Sequence, residues 1–261
     1  MIRKFWLLIL FLIMISCNNI DREKKVDKSK LLGKDYRLFQ ETPAWELAKA
    51  VWDDDIGRID EEIKKNPSII NYQENKYGRT LLHLSSYNDN YDAFKELLKL
   101  GANPNIFDSS HCTPPLIEVA KSFDNKTKYA EELIRYRADV NAVECNSGKE
   151  DQRTNYTPLL AASGQNNLKL VKLLIENGAK INYINPNGEY ALAAAALSRN
   201  YKVVLYLLQK GADCSKVLYK KGGGDDLKDI YIKDWIENEA DHSIKEYQEI
   251  KELLYKKGCL H

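Results

Sequence analysis

The sequence predicts an all-α repeat protein, a solenoid of about six helix–turn–helix units joined by hairpin-like loops. A similar phrase recurs as "GRTLLHLSS", "HCTPPLIEVA" and "NYTPLLAASG". The threonines of these phrases, Thr80, Thr113 and Thr157, are 33 and 44 residues apart, and a period near 33 is typical of stacked repeats. Apolar residues at helical spacing follow each phrase, and a glycine usually ends the pair of helices.

The fourth unit, residues 157–178, shows how the residues specify a helix pair. Thr157 can cap a helix, and Pro158 is favoured at the first helical position. The small residues of "LLAAS" allow a neighbouring helix to pack closely, and "GQNN" then interrupts the helix. Val171 and Leu174 belong to a second apolar stripe at helical spacing, with Leu174 facing the core. Gly178 ends this second helix in the left-handed conformation.

These parts resemble the ankyrin repeat, in which G-x-T-P-L-H-x-A-A is followed by a second helix and by G-A-D-x-N. The resemblance covers residues 44–261 and implies four inner repeats between two atypical terminal units. Arg137 stands where the glycine is usual, so we expect a strained or differently closed helix end there. The matching segments are "GRTLLH" at 78–83, "LLKLGANPN" at 97–105, "LIRYRADVN" at 133–141, "LLIENGAKIN" at 173–182 and "LLQKGADCS" at 207–215.

The N-terminus resembles a bacterial lipoprotein signal peptide. Arg3 and Lys4 precede an apolar run, Phe5–Ile15, which is too short to span a bilayer but suits an export signal. The run ends at Ser16-Cys17, and the resemblance implies that Cys17 becomes the lipidated first residue. We therefore expect a signal peptide over 1–16, a lipidated cysteine and flexible tether over 17–43, and the ankyrin domain over 44–261.

The composition and the histidines argue against several functions. The 39 basic and 38 acidic side chains leave a net charge of +1, so no strong field favours nucleic acid. His83 occupies the histidine position of the repeat, where the resemblance implies a structural hydrogen bond between loops. No histidine has the spacing of a metal pair or an evident nucleophile partner. We therefore expect no enzyme activity, no metal and no cofactor; an enzyme hidden in the C-terminal unit is the alternative of a different class.

Four cysteines follow Cys17, and none forms a Cys-x-x-Cys pair. Export makes disulfides possible, and four cysteines allow three connectivities. Cys214 and Cys259 follow corresponding helix ends and are the most plausible pair. We nevertheless expect isolated free thiols at Cys112, Cys145, Cys214 and Cys259.

The resemblance also implies a recognition surface on the concave side of the array. The variable contact positions of ankyrin repeats lie just before the repeat threonine and seven or eight residues after it, on loop tips and first helices. Tyrosine and arginine are frequent anchors of protein interfaces. The predicted partner-binding residues are Tyr77, Arg79, Tyr87, Asn88, Lys121, Arg153, Tyr156, Gln165, Glu189 and Ser198.

Together these observations predict a lipid-anchored protein-binding module of the bacterial cell envelope, on the periplasmic face or in the outer membrane. Its partner would be a protein, and its membrane contact would be the lipid on Cys17. One alternative within the binding class is an immunity-type inhibitor of a toxin, and a separate alternative is a stabilising accessory of an envelope enzyme. The sequence leaves the identity of the partner open.

Overall fold

In the part of the chain that the structure describes, six consecutive pairs of α-helices confirm the predicted solenoid. The computed structural model describes residues 22–122, 126–145, 155–223 and 226–260. The first helices of units one to six are α1 (Trp45–Trp52), α3 (Leu81–Tyr87), α5 (Pro115–Lys121), α7 (Pro158–Gly164), α9 (Ala191–Leu197) and α11 (Ile232–Asn238). The second helices are α2 (Ile56–Lys65), α4 (Tyr91–Lys99), α6 (Thr127–Arg135), α8 (Leu168–Glu176), α10 (Tyr201–Gln209) and α12 (Lys245–Lys256).

The helices form two layers with the core between them. From unit to unit, first helices pack against first helices and second helices against second helices. Leu174 and Leu207, on successive second helices, are fully buried, as are Ala162 and Leu192 on the facing first helices. The predicted inward orientation of Leu174 is therefore confirmed. Among the described helices, none is both long enough and apolar enough to cross a bilayer.

A short antiparallel sheet separates units five and six. It consists of β1 (Val217–Lys221) and β2 (Lys228–Tyr231). Glu239, just beyond α11, accepts hydrogen bonds from the Tyr219 hydroxyl and from Lys221 Nζ, the latter at 2.7 Å. Glu239 thus attaches the first strand of this sheet to the last unit.

Asparagines connect each unit to the next along the loops. In the Asn141 side chain, Oδ1 accepts from the Lys180 amide at 2.8 Å and Nδ2 donates to the Gly178 carbonyl at 3.0 Å. Asn182 makes the same two bonds with Asp213 and Gly211 of the next unit. Because the carbonyls at a helix end lack partners within the helix, these amides satisfy them across the unit boundary. The asparagine of the repeated "GADxN" pattern therefore fixes the register between units.

Arg137 adopts the conformation that glycine has at the other helix ends. Its φ is +68°, compared with +88° at Gly178 and +94° at Gly211. The amide of Ala138 closes the helix on the Leu133 carbonyl at 2.8 Å, as that of Ala179 does in the next unit. The helix end is closed in the usual way, and the predicted strain is confirmed because a side chain disfavours positive φ.

His83 links two units, as the resemblance implied. The Thr80 amide donates to His83 Nδ1 at 3.2 Å, and His83 Nε2 lies 3.4 Å from the Thr113 carbonyl of the next unit. Because Nδ1 accepts, Nε2 carries the proton and donates. Burial lowers the pKa of His83 to about 4, so the ring is neutral at neutral pH. This histidine supports the array and is not placed for catalysis.

The segment before unit one differs from the predicted tether. Residues 36–39 form a 3₁₀ helix in which Tyr36, Leu38 and Phe39 are buried in the core. Further upstream, Arg22 pairs with Asp53 at the turn between α1 and α2. A flexible tether extending to residue 43 is therefore wrong for the described part, because its aromatic and apolar residues cover the exposed end of the array. The predicted signal peptide and Cys17 lie outside the described residues.

Two disulfides replace the predicted free thiols. Cys112 is bonded to Cys145 and Cys214 to Cys259, with Cα atoms 5.3 and 6.1 Å apart. Both separations lie in the usual range for disulfides. The first bond joins equivalent loops of neighbouring units, and the second joins the ends of units five and six. The expectation of isolated thiols was wrong because repeat stacking brings residues one period apart into contact.

Candidate functional site

Five predicted contact residues converge on one groove of the concave face. The groove has a volume of about 400 Å³ and is formed by the first helices of units three to five with the loops that precede them. We call it the open groove. The predicted residues that line it are Lys121, Tyr156, Gln165, Glu189 and Ser198.

The floor of the open groove is made of small and apolar residues. Ala161 and Gly164 come from α7, and Ala193 and Ala194 from α9. Their short side chains leave room between the helices, which is the physical origin of the groove. Leu197 adds a large apolar side chain that is 56% exposed. A single apolar residue of a partner could therefore enter the groove and bury this leucine.

The rim of the open groove is polar and partly fixed. Lys121 Nζ donates to Glu144 Oε1 at 2.6 Å and lies 5.0 Å from the centre of the Tyr156 ring. Glu189 accepts a hydrogen bond from Asn185 Nδ2 at 2.9 Å. The charges of Lys121 and Glu189 are therefore held in place before any partner arrives, which reduces the entropy cost of binding.

Glu144 is a residue of the site that sequence reasoning missed. It is 2% exposed, and its Oε1 also accepts from the Thr113 hydroxyl. The corresponding loop position holds Glu74 and Asp108 in the two preceding units, and both side chains accept hydrogen bonds from backbone amides of their own loop. The recurrence of an acidic residue at this loop position was the sequence signal from which Glu144 could have been identified. Glu144 holds the Lys121 ammonium at the edge of the groove.

The predicted contact residue Arg79 is buried. It is only 6% exposed, its Nε donates to Asp108 Oδ2 at 3.3 Å, and its guanidinium lies 4.7 Å from the centre of the Tyr87 ring. Tyr87 in turn donates its hydroxyl to Glu118. Burial and the nearby Glu118 carboxylate raise the pKa of Tyr87, which therefore remains a neutral donor. The prediction of Arg79 as an exposed partner-binding residue was wrong, because Asp108 of the next loop supplies its counter-ion.

Tyr77 and Asn88, the other predicted residues of unit two, contact the chain's own N-terminal segment. The Tyr77 hydroxyl donates to the Leu31 carbonyl at 3.0 Å, and Asn88 Nδ2 donates to the Lys34 carbonyl at 2.8 Å. The recognition surface predicted as continuous is thus divided into a covered face on unit two and the open groove. Arg153 lies outside the described residues.

Asp108, His111 and Glu118 form a cluster whose ligand atoms all lie within 4.8 Å of one another. Such a set of donors could hold a cation. However, Asp108 already pairs with Arg79, and Glu118 already accepts from Tyr87. The guanidinium supplies the positive charge at this point, and the cluster is explained as part of the packing of units two and three.

Comparison with known proteins agrees with the repeat architecture. A model of three ankyrin repeats matches residues 116–217, and a single ankyrin repeat matches residues 77–109, which together make up just over half of the chain. An ankyrin repeat protein of Fowlpox virus (strain NVSL) is 33% identical over 123 residues, covering 47% of this chain and 34% of the viral protein. An ankyrin repeat protein of Rickettsia bellii (strain RML369-C) is 25% identical over 204 residues, covering 70% of this chain and 76% of the relative.

Human neurogenic locus notch homolog protein 1 is 31% identical over 141 residues, covering 54% of this chain and 5% of that protein. The chain thus spans about a third of the fowlpox relative and a small part of the human one, so the likeness concerns the repeat region. Ankyrin repeats mediate protein–protein interaction, and the family is typically non-catalytic. On the repeat pattern, the six stacked helix pairs and these matches, the chain belongs to the ankyrin-repeat family.

Proposed function

We propose that this protein is a lipid-anchored binding module of the bacterial cell envelope that recognises a protein partner through the open groove. The convergence of Lys121, Tyr156, Gln165, Glu189 and Ser198 on one groove carries the proposal. A rim with fixed charges around an apolar floor matches the anatomy of protein interfaces, which have an apolar centre and a polar edge.

The N-terminal segment covers the face of unit two, so the proposed binding surface lies on units three to five. Of the predicted residues on unit two, Arg79 is buried, Tyr77 and Asn88 are hydrogen-bonded to the N-terminal segment, and Tyr87 donates its hydroxyl to Glu118. In the open groove, Ser198 and Leu197 remain exposed. The open groove therefore offers contacts that a partner can make without first displacing part of this chain.

Lipid anchoring and export rest on the N-terminal sequence and on the cysteines. The apolar run before Ser16-Cys17 resembles a lipoprotein signal. The two cysteine pairs add support, because disulfides persist mainly in oxidising compartments outside the cytosol. One lipidated residue with more than one acyl chain is sufficient for stable attachment to a membrane.

The lipid attachment is tested by replacing Cys17 with serine. We expect the variant to lose incorporation of a labelled fatty acid, because the cysteine thiol is the acylation point. The circular dichroism spectrum of the repeat domain should not change. Equal labelling of the variant and the parent chain would contradict lipid attachment at this residue.

The open groove is tested with the double variant Leu197→Asp and Gln165→Ala. The partner is first captured by crosslinking to the membrane-anchored protein, and its affinity for each variant is then measured. We expect the double variant to bind at least about a hundredfold more weakly, because a charge on the floor opposes burial of an apolar anchor and about 2.7 kcal/mol corresponds to that ratio. Stability should change by no more than about 0.5 kcal/mol, because Leu197 is exposed.

Lys99→Ala with Lys172→Ala serves as the matched control, because both residues are exposed on second helices and lie outside the open groove. This control should bind the partner normally. Normal binding by the groove variant together with weak binding by the control would place recognition on the outer layer of helices and refute the proposal.

A further inference from the structure

The N-terminal segment lies on the concave face of unit two as a bound peptide does. We call residues 27–35 the arm. Lys76 Nζ donates to the Ser29 carbonyl at 2.8 Å and to the Leu31 carbonyl at 2.7 Å. Tyr77 and Asn88 donate to the Leu31 and Lys34 carbonyls, as described above. Each of these contacts joins a side chain of the array to a backbone carbonyl of the arm.

The Leu31 side chain is half-buried against the core, whereas those of its neighbours Lys30 and Leu32 are exposed. Leu32 is 69% exposed, and the Lys30 side chain is 82% exposed. No residue of the first 3₁₀ turn, Lys28–Lys30, is buried. The hydrogen bonds from unit two therefore recognise the backbone of the arm. This backbone is folded into two turns: a 3₁₀ turn at Lys28–Lys30, and a turn at residues 33–34 closed by the Asp35 amide on the Leu32 carbonyl at 3.0 Å.

Gly33 is the position of the arm at which the array restricts the residue type, because there is no room for a side chain. A Cβ added at Gly33 would lie 2.0 Å from Arg79 Nη1 and 2.9 Å from Arg79 Cζ. The guanidinium cannot move away freely, since Asp108 and the Tyr87 ring hold it from the other side. A residue larger than glycine at this point must therefore lift the backbone off the face.

The arm is held at its two ends more firmly than in its middle. Upstream, Gln40 Nε2 donates to the Arg22 carbonyl at 2.6 Å, and downstream Tyr36 is buried in the core. Between these points, three of the four hydrogen bonds from the array to the arm are exposed, so water competes for the same groups. Ordering the backbone of the arm also costs conformational entropy. The arm can therefore exchange with solvent while its ends stay attached.

The position of Asn88 within its unit recurs in the units that form the open groove. Asn88 lies eight residues after Thr80, and Lys121, Gln165 and Ser198 lie eight residues after the equivalent positions of their own units. Asn88, one of the donors to the arm, thus belongs to a row of equivalent positions that also includes these polar residues of the open groove. On unit two, the residue of this row binds a backbone carbonyl of a turn in the arm.

We propose that Lys76, Tyr77, Arg79 and Asn88 form a second peptide-binding site, for a segment that places a glycine-containing turn over the Arg79 guanidinium. The arm fills this site in the structure, and a segment of the same pattern from another molecule binds it when the arm dissociates. This site is separate from the open groove, so the two proposals can fail independently.

The test uses the full chain and a fluorescent synthetic peptide with the sequence of residues 27–35, DKSKLLGKD. The parent chain is compared with a Gly33→Val variant, whose arm we expect to leave the face. By fluorescence anisotropy the peptide should bind the variant at least about tenfold more tightly than the parent chain. A peptide with valine in place of the glycine should bind neither chain, because it meets the same guanidinium.

Leu32→Ala is the matched control, since it changes the neighbouring exposed side chain and leaves the glycine in place. It should behave as the parent chain does. Trypsin cleavage after Lys30 and Lys34 gives an independent measure of arm release. We expect cleavage to be at least about tenfold faster in Gly33→Val, because its rate depends on the fraction of molecules in which the arm is released.

Three results would overturn the proposal and show that the arm is a fixed part of the fold. They are equal peptide binding by the parent chain and Gly33→Val, no peptide binding by Gly33→Val, and an unchanged rate of cleavage. If Gly33→Val unfolds the array, the double variant Lys76→Ala and Asn88→Ala replaces it for the cleavage measurement. This double variant removes donors to the arm and should also release it. Slow cleavage in a folded double variant would refute the proposal as well.

Discussion

Replacing Asp108 with alanine is expected to lower the free energy of unfolding by about 3–5 kcal/mol, because it leaves a buried arginine without its counter-ion. The Asp108 side chain is fully buried, and that of Arg79 is 8% exposed. Asp108 Oδ1 also accepts from the His111 amide at 2.7 Å, so the same substitution removes a second bond within the loop. Urea unfolding followed by circular dichroism measures the change.

An exposed ion pair provides the control for this substitution. Glu46 pairs with Arg58 at 3.2 Å, with side chains 52% and 38% exposed. Glu46→Ala should change the free energy of unfolding by no more than about 1 kcal/mol, because water screens such pairs. Replacing both buried partners, Arg79→Met with Asp108→Leu, should recover much of the loss, since no uncompensated charge remains. If Asp108→Ala were no more destabilising than Glu46→Ala, the buried pair would not be what fixes unit two to unit three.

Truncating Leu174 to alanine is expected to cost about 2–5 kcal/mol, because its side chain is fully buried between the layers and a cavity remains. Leu174 lies in α8, in the middle of the array. Repeat units contact only their neighbours, so a weak central unit uncouples the two ends. We therefore expect the single unfolding transition to broaden or divide in two. Urea titration monitored by circular dichroism detects both effects.

Lys172→Ala is the corresponding control in the same helix. Lys172 is exposed two residues away, and its substitution should change the free energy of unfolding by no more than about 0.5 kcal/mol. A similarly small effect for Leu174→Ala would show that the core does not depend on this position, in conflict with its complete burial.

The helix pairs could be predicted because their signals are local. Thr157 accepts a hydrogen bond from the Leu160 amide as a cap, and Gly178 has positive φ at the end of α8. Each of these features depends on a few neighbouring residues. The row formed by Lys121, Gln165 and Ser198 could be placed for the same reason, since its position is set by counting from the helix start.

The burial of Arg79 could not be predicted in this way. Its partner Asp108 lies 29 residues away, in the loop of the next unit, and the sequence of unit two does not indicate it. The arm was missed because its contacts use backbone carbonyls, which leave little trace in side-chain pattern. Gly33 was its only specific sign. The Cys112–Cys145 bond, by contrast, was accessible, because its separation of 33 residues equals the repeat period.

The attachment of Arg22 to unit one sets how far the array can stand from a membrane, given the proposed lipid on Cys17. Arg22 lies five positions after Cys17, and a fully extended chain of five residues reaches about 18 Å. With the chain free up to the buried Tyr36, nineteen residues would reach about 65 Å. Release of the arm and the residues before it would therefore change the height at which the open groove meets its partner. A partner fixed in the same membrane and one located farther from it would meet the protein in different states of its N-terminal segment.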